Sequence, residues 1–172
     1  MTVIKTKLFT LRPFKKRDEI SLVENINNEK VYRPTLNIPY PYTMNDARSW
    51  IKKNDKYAKE NPLKAVNFAI DINGEVAGGI GISKIENSEG ELGYWLGENY
   101  WGKGIMSEAV REVTNFGFRI LGLKRIYADV FPFNKVSMRV LEKNGYILEK
   151  IIKDNTIKNG KLIDDYRFSK TI

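Results

Sequence analysis

Apolar residues recur along the chain with two spacings, every second residue and every third or fourth residue, which predict strands and helices respectively. Apolar and polar residues alternate over residues 6–14, which predicts a first strand. Asp18 is placed to cap the helix that follows, predicted over residues 18–28. The next stretch, residues 31–42, holds three prolines and three tyrosines. Because prolines stiffen a loop, this one can form a wall that faces a substrate, or simply a packed surface loop.

A second helix is predicted from Thr43 to about Lys59. Thr43 and Asp46 stand three residues apart, a capping arrangement in which Asp replaces the usual Glu or Gln. Asn61-Pro62 is predicted to end the helix, because proline cannot continue it. The residues expected on its buried side are Ala47, Trp50, Ile51 and Tyr57.

Two Asn-Gly pairs, Asn73-Gly74 and Asn159-Gly160, predict β-hairpins, because both residue types tolerate the positive φ angles of a two-residue turn. Glycines at positions 78, 79 and 81 weaken the second strand of the first hairpin, so we expect a bulge there or the close approach of another backbone. The four strands that the two turns join are predicted over residues 65–71, 75–83, 147–152 and 161–169.

The centre of the chain passes from a strand through a glycine loop into a helix. The short aromatic run at residues 92–96 predicts the strand, and Gly102 and Gly104 follow it. The first turn of a helix has N–H groups without intrahelical partners, and the helix dipole adds a positive end. The arrangement predicts a pyrophosphate cradle, although a tight strand–helix turn explains the same residues. The apolar face of the helix is Ile105, Ala109, Val113 and Phe116.

Two familiar phosphate-binding loops do not fit this stretch. Position 107 is Ser, so no third glycine completes a Gly-x-Gly-x-x-Gly pattern. The spacing of a P-loop, Gly-x-x-x-x-Gly-Lys-Ser/Thr, is also missing from the sequence.

The remaining pattern completes an α/β chain. A strand is predicted over residues 125–130, and a helix begins at Asn134 and ends at Asn144-Gly145. Strands and helices therefore follow one another in the order β α α β β β α β α β β. This order predicts one domain over residues 1–172, with a mixed, mostly antiparallel sheet.

Composition excludes much chemistry. The chain has no Cys and no His, so a Cys nucleophile, a Ser-His-Asp triad and zinc sites built from those residues are impossible. We expect no metal, and proton transfer must use carboxylates, Lys, Tyr, a terminus or water. No apolar run approaches a membrane span and no signal-peptide core opens the chain, so we expect no membrane partner and a cytoplasmic location.

The net charge is +8, which favours a negatively charged partner. Lys and Arg are scattered along the chain, with KKR at residues 15–17 as the densest run. We therefore do not expect nucleic-acid binding to be the main function. A nucleotide-like or CoA-like ligand would also suit a positive surface.

Three segments, in order, carry a family resemblance: TKLFTLRPFKKRD, GYWLGENYWGKGIMSEAV and NKVSMRVLEKNGY. The chain resembles, over nearly its full length, the GNAT superfamily of acyl-CoA-dependent N-acetyltransferases, and within it the RimJ/RimL-like branch. The family's pyrophosphate motif, Arg/Gln-x-x-Gly-x-Gly/Ala, becomes NYWGKG at residues 99–104. Asn99 departs from the broad pattern, but a loop that binds through backbone N–H groups tolerates this change.

The resemblance implies helices on both faces of the sheet and a splayed pair of strands that forms the CoA slot. The pantetheine arm of acetyl-CoA would pair with the strand at 92–96 as an added strand does, and Asn134 would contact it. The residues that the resemblance assigns to acetyl-CoA are Tyr94, Trp95, Leu96, Trp101, Gly102, Lys103, Gly104, Ile105, Met106, Ser107 and Asn134.

The chemistry implied is attack by a neutral amine on the thioester. Glu91 is the first candidate for the general base, against the alternative of an exposed strand-end carboxylate, and Asp164 and Asp165 are the alternates. In RimL-like enzymes the Ser of an Asn-x-x-Ser motif protonates the thiolate, which here is Ser137, with Tyr146 as a weaker alternative. Helix capping explains the Asn and Ser equally well. A backbone N–H of Trp95 or Leu96 would hold the oxyanion.

The resemblance thus implies an acetyl-CoA-dependent N-acetyltransferase that transfers the acetyl group directly within a ternary complex. The leading acceptor is a protein N-terminal amine of the ribosomal-protein type. The alternatives are a small amine, such as an amino acid, polyamine or aminoglycoside, and a CoA-binding module without catalysis. Members of this branch occur as monomers and as homodimers.

Overall fold

The structure, a computed structural model, describes residues 2–60 and 64–172. Within these ranges eight strands form one sheet: Ile4–Lys5 (β1), Thr10–Arg12 (β2), Val66–Ile72 (β3), Glu75–Glu86 (β4), Glu89–Leu96 (β5), Arg125–Val130 (β6), Ile147–Lys158 (β7) and Lys161–Thr171 (β8). The helices are Glu19–Ile26 (α1), Glu29–Tyr32 (α2), Met44–Glu60 (α3), Ile105–Arg119 (α4) and Lys135–Lys143 (α5). A short 3-10 helix, Glu98–Tyr100, lies between β5 and α4.

The strand order across the sheet is β1-β2-β3-β4-β5-β6-β8-β7. Neighbouring strands are antiparallel except β5 and β6, which run parallel. The predicted α/β architecture with a mixed, mostly antiparallel sheet is confirmed. Its single parallel pair lies at the centre of the sheet, at the end of the crossover through α4.

Helices cover both faces of the sheet, as expected. On one face, α4 contributes Ile105, Ala109 and Val113 to a core with the inward side chains of the central strands. On the other face, Leu22 of α1 and Ala47 of α3 pack into a separate, smaller core. Successive residues of a strand point to opposite faces, so each central strand serves both cores.

Both predicted hairpin turns are confirmed. Asn73 and Gly74 have φ angles of 56° and 90°, and Asn159 and Gly160 have 51° and 75°. The close approach expected at the glycines of β4 is also present. A Cβ at Gly78 would lie 2.6 Å from the carbonyl oxygen of Trp95 on β5, so a larger residue there would push the two strands apart.

The prediction of one strand over residues 6–14 is wrong in its extent. Thr6 Oγ1 accepts a hydrogen bond of 3.1 Å from the N–H of Phe9, which closes a turn and separates β1 from β2. The predicted cap of α1 is also wrong, because the Asp18 side chain is held by two hydrogen bonds from the Arg12 guanidinium, 2.8 and 2.9 Å long.

The start of α3 is as predicted. The Thr43 N–H donates to Asp46 Oδ2 over 2.8 Å, and the Asp46 N–H donates back to Thr43 Oγ1 over 3.3 Å. Trp50 and Tyr57, expected to be buried, are 36% and 38% exposed, whereas Ala47 and Ile51 are buried as expected. The predicted stop at positions 61 and 62 lies outside the described residues.

Candidate active site

The parallel strands β5 and β6 are paired over three residues and then diverge. The pairs are Glu89 with Arg125, Gly90 with Ile126 and Glu91 with Tyr127. Beyond Glu91, β5 continues to Leu96 without β6 and remains paired with β4 on its other edge. The splayed pair implied by the family resemblance is therefore present, and Glu91 is the last paired residue on β5. Beyond it, one edge of the β5 backbone faces the slot between the strands.

The alternation of backbone direction identifies which amides face this slot. The Ser88 carbonyl accepts from Lys124 on the β6 side, whereas the Gly97 N–H donates to Ala77 of β4. Backbone groups alternate along a strand, so even-numbered residues of β5 face the slot and odd-numbered ones face β4. Tyr94 and Leu96 thus direct their N–H groups into the slot, and the Trp95 N–H is directed to β4.

The glycine loop after β5 has the backbone of an anion cradle. Gly102 and Gly104 have φ angles of 74° and 77°, and a Cβ at either would meet nothing within 4 Å. The first intrahelical bond of α4 runs from Glu108 to the Gly104 carbonyl, so the N–H groups of the three preceding residues have no intrahelical acceptor. These donors are Ile105, Met106 and Ser107. An open backbone and free donors fit a pyrophosphate.

Two side chains of the loop hold it against its surroundings. The Trp101 indole Nε1 donates to the Leu96 carbonyl over 2.7 Å, which joins the loop to the slot-facing end of β5. Lys103 Nζ donates to the Asn99 carbonyl over 2.9 Å and lies over the Tyr100 ring. The Lys103 side chain therefore folds back onto the loop, and its contribution to a ligand site is its backbone.

The start of α5 lies at the open end of the slot, because α5 follows β6 after four residues. Asn134 caps the helix: its side-chain oxygen accepts from the Ser137 N–H over 3.2 Å. The Ser137 hydroxyl lies 2.7 Å from the Tyr94 hydroxyl. The capping explanation for Asn134 therefore holds, and the cap also fixes Ser137 beside the slot.

Tyr146, the weaker candidate for the acid, is a core residue. It is 2% exposed, and its hydroxyl lies 2.8 Å from Thr114 Oγ1 of α4. Burial raises the pKa of the Tyr146 phenol to about 12. Its hydroxyl therefore forms a structural hydrogen bond in the core.

Three carboxylates line a cavity of about 150 Å³ on the α1–α3 face of the sheet: Glu91 of β5, Asp129 of β6 and Asp165 of β8. The register places them on one face, since Glu91 pairs with Tyr127 and Asp129 follows two residues later. Arg167 neutralises Asp129 through two hydrogen bonds of 2.7 Å. Because Glu91 is the last residue of β5 that pairs with β6, the cavity it lines adjoins the point where the two strands diverge.

Glu91 forms an ion pair across the cavity rim. Lys84 Nζ lies 2.5 Å from Glu91 Oε2, an oxygen that is itself shielded from solvent. The Lys84 ammonium is therefore the charged partner of this oxygen. The contact with Glu91 raises the pKa of Lys84 despite partial burial.

The two alternate bases differ in position. Asp165 is 4% exposed and lines the cavity, where its Oδ2 accepts from Asn155 over 2.7 Å and from Thr156 over 2.6 Å. Asp164 points to the other side of β8 and pairs with Lys153 over 2.7 Å at the surface. Only Asp165 of this pair shares the cavity with Glu91.

The loop at residues 31–42 supplies the opposite wall of the cavity, through Pro34, Leu36 and Asn37. Tyr32 and Tyr40 stack on each other and line a neighbouring depression of about 350 Å³. Tyr42 is 6% exposed and belongs to the smaller core, so for this residue the packed alternative holds.

Sequence reasoning missed Asp129 and Lys158. Asp129 has a local signal, since it is the acidic residue of a strand parallel to the one that carries Glu91. Lys158 has none: its ammonium donates to the backbone carbonyls of Tyr32 and Thr35 and lies 3.9 Å from the centre of the Tyr32 ring. Burial lowers the pKa of Lys158. This residue attaches the tip of the β7–β8 hairpin to the loop.

Residues 2–60 and 64–172 contain neither a helix that could span a membrane nor a cluster of metal-ligating side chains. No helix there combines the length and apolar character needed to cross a membrane. No group of three or more acidic, His or Cys side chains in those ranges is arranged to hold a metal ion.

Comparison with known proteins agrees with this geometry. Residues 9–147 match the family model described as "Acetyltransferase (GNAT) domain". The uncharacterized N-acetyltransferase p20 of Bacillus licheniformis is 34% identical over 172 residues, which cover 98% of this chain and 96% of that protein. The ribosomal-protein-serine acetyltransferase of Escherichia coli is 28% identical over 148 residues, 84% of this chain and 82% of that one.

A solved structure is similar over the whole chain. The microcin C7 self-immunity acetyltransferase MccE, in complex with acetyl-CoA and AMP, superposes with a TM-score of 0.86 at 25% identity and covers 97% of this chain and 94% of its own. The splayed strands, the glycine cradle and the family match over most of the chain lead to one assignment. The chain belongs to the GNAT acetyltransferase family and is an acetyl-CoA-dependent N-acetyltransferase.

Proposed function

We propose that the enzyme transfers acetyl directly from acetyl-CoA in the β5–β6 slot to a primary amine in the carboxylate-lined cavity. One observation carries the proposal: Glu91 is both the last residue paired across the two strands and a lining residue of the cavity. It therefore adjoins both reactants. Direct transfer needs no enzyme nucleophile, in keeping with a chain without Cys or His.

In this proposal Glu91 removes the proton of the attacking ammonium, directly or through one water. The neutral amine forms a C–N bond with the thioester carbon while the C–S bond breaks. The slot-facing N–H of Leu96 stabilises the oxyanion, because the Trp95 N–H is directed to β4. After the attack the nitrogen loses its second proton to solvent, and the Ser137 hydroxyl gives its proton to the departing thiolate and regains one from solvent. Free CoA and a neutral amide therefore leave, and Glu91 returns its proton to solvent.

The first candidate acceptor is the N-terminal amine of a protein. Its support is the similarity to the Escherichia coli ribosomal-protein-serine acetyltransferase. The loop at residues 31–42 and the β7–β8 hairpin flank the cavity and leave space of about 350 Å³ beside it. The residues that follow an N-terminus would lie in this neighbouring depression.

The second candidate is a small amine with more than one positive charge, and the carboxylates favour it. Asp129 is neutralised by Arg167 and Glu91 is paired with Lys84. Asp165 receives hydrogen bonds from Asn155 and Thr156, which are uncharged. A second ammonium group in the cavity would find its counter-charge at Asp165.

A thiol-release assay with acetyl-CoA across a panel of amines tests the proposal. The panel contains peptides with free and with blocked N-termini, a diamine, a monoamine and a free amino acid. We expect release of CoA only with acceptors that carry a free primary amine, and an acetylated product of the matching mass. If CoA binds but none of these acceptors raises thiol release, direct transfer to an amine is wrong.

Selectivity within the panel decides between the two acceptor classes. A higher kcat/KM for peptides with free N-termini supports the first. Preference for the diamine over the monoamine, abolished in Asp165→Asn, supports the second.

A further inference from the structure

The Tyr94 hydroxyl joins β5 to the first turn of α5, at the open end of the splayed strands. It lies 2.7 Å from Ser137 Oγ and 3.3 Å from the Ser137 carbonyl oxygen. Tyr94 belongs to β5 and Ser137 to the first turn of α5, which follows β6. The backbone of Tyr94 faces the slot, while its ring packs into the core on the α4 face.

The geometry favours one direction for the hydrogen bond. A separation of 2.7 Å is typical of O–H···O bonds, whereas 3.3 Å is long for one. Either hydroxyl can donate across the 2.7 Å contact, and the length of the competing contact with the carbonyl oxygen favours Tyr94 as the donor to Ser137 Oγ. Burial raises the pKa of the Tyr94 phenol, so the group stays protonated and remains a donor.

A hydrogen bond in this direction leaves the Ser137 O–H free to donate to another group. A hydroxyl has one proton and two lone pairs, so a Ser137 oxygen that accepts from Tyr94 can direct its own proton elsewhere. The Asn134 side chain holds the Ser137 N–H over 3.2 Å, which fixes the backbone beneath it. A hydroxyl that accepts a hydrogen bond is also polarised into a stronger donor.

We propose that Tyr94 is a positioning residue, which donates to Ser137 Oγ and thereby aims the Ser137 proton at the sulfur of the departing CoA. The proposal rests on the role of Ser137 in the proposed function. As the C–S bond breaks, the Ser137 proton moves to sulfur, while the Tyr94 hydroxyl keeps its own proton and its hydrogen bond stabilises the negative charge that develops on Ser137 Oγ. Ser137 regains a proton from solvent after CoA leaves, so no oxidant or further reactant is needed.

A double-mutant cycle tests this role. It compares the wild type with Tyr94→Phe, Ser137→Ala and the double variant, using kcat, the KM for acetyl-CoA and the affinity for CoA. We expect Tyr94→Phe to lower kcat about tenfold, the factor that corresponds to one net hydrogen bond, with KM and CoA affinity changed less than about twofold. In the Ser137→Ala background, Tyr94→Phe should have no further effect on kcat, because the group it positions is gone.

The chain offers a matched control in the other buried phenol–hydroxyl pair. Tyr146 and Thr114 lie 2.8 Å apart in the core. Tyr146→Phe removes the same single oxygen atom, so it should lower stability to urea as Tyr94→Phe does while kcat stays at the wild-type value. A fall in kcat that is equal for both variants would mean a structural role for Tyr94 and overturn the proposal.

The remaining outcomes distinguish a wrong role for Tyr94 from a wrong role for Ser137 and from a wrong proposed function. If wild-type enzyme transfers acetyl and Ser137→Ala is slow, but Tyr94→Phe is fully active or slows both backgrounds equally, only the role of Tyr94 is wrong. If Ser137→Ala is as fast as the wild type, the role of Ser137 fails and that of Tyr94 fails with it. If the wild type transfers acetyl to no amine, the proposed function itself is overturned.

Discussion

Lys84 Nζ lies 2.5 Å from Glu91 Oε2, on strands that are antiparallel neighbours at the mouth of the carboxylate-lined cavity. The lysine is largely exposed, whereas the carboxylate oxygen is shielded from solvent. An ammonium ion is thus already the favoured partner of this carboxylate. An incoming substrate ammonium would take the place of a flexible, exposed lysine, a replacement that costs little.

Glu91→Gln should lower kcat by roughly 10²-fold or more, because it keeps the shape of the side chain and removes the base. Asp164→Asn is the control, since Asp164 pairs with Lys153 at the surface and does not line the cavity. Steady-state thiol release measures both. A loss of activity in the control equal to that in Glu91→Gln would contradict the assignment of the base.

Gly102→Leu should abolish CoA binding, because the side chain would occupy the open space above the cradle. Gly122→Leu is the matched control: its φ is 67°, against 74° at Gly102, and both positions have nothing within 4 Å of a Cβ. Each variant should lose about 1–2 kcal/mol of stability from its left-handed backbone. Calorimetric titration with CoA should show lost binding only for Gly102→Leu, and equal affinity of the two variants would contradict the cradle.

Trp101→Phe should weaken CoA binding several-fold, about the effect of one lost hydrogen bond of 0.5–1.5 kcal/mol. The variant removes the donor that links the loop to the Leu96 carbonyl, and so loosens the cradle relative to the slot. Trp50→Phe, on the exposed side of α3, serves as the comparison. Fluorescence or calorimetric titration with CoA measures the change; unchanged affinity in Trp101→Phe would show that the loop is held by other contacts.

Asp18→Ala should destabilise the fold by about 3–5 kcal/mol, because it leaves the buried Arg12 guanidinium without half of its partners. Arg12 and Asp18 side chains are 11% and 2% exposed, and Asp71 holds the remaining guanidinium nitrogen. Asp55→Ala removes an exposed pair with Lys59 and should cost less than about 1 kcal/mol. Urea unfolding compares the two, and a cost as small for Asp18→Ala would mean that the network contributes little.

Thr43→Ala should destabilise α3 more near neutral pH than in acid. Hydrogen bonds from the Thr43 side chain and N–H lower the pKa of Asp46 below its usual 3.8. A carboxyl whose pKa is lowered on folding adds stability above its unfolded pKa and loses it as the pH falls through the folded value. Thermal unfolding at about pH 7 and about pH 3, with exposed Ser49→Ala as the control, measures the difference. A cost that does not shrink in acid would exclude Asp46 as its source.

Local patterns predicted the features that have local causes. The Asn-Gly turns, the Thr43–Asp46 cap and the apolar face of α4 each follow from residues a few positions apart, and all are present. The errors share a non-local cause. The Asp18 side chain binds Arg12 instead of capping α1. Trp50 and Tyr57 are partly exposed because the neighbours of α3, and not its own period, decide how much of the helix is buried.

The sequence by itself determined the family and most of the order of elements, except that the first strand is split in two and that the short helix α2 was not predicted. It also predicted the glycine loop before α4, since a left-handed backbone there requires glycine at particular positions. Tertiary structure decided which side chains meet. Tyr94 and Ser137 are 43 residues apart, and three strands bring together Glu91, Asp129 and Asp165. These contacts depend on the order and register of the strands, because a register shift of one residue turns every side chain of a strand to the other face of the sheet. No local pattern of residues specifies strand order or register.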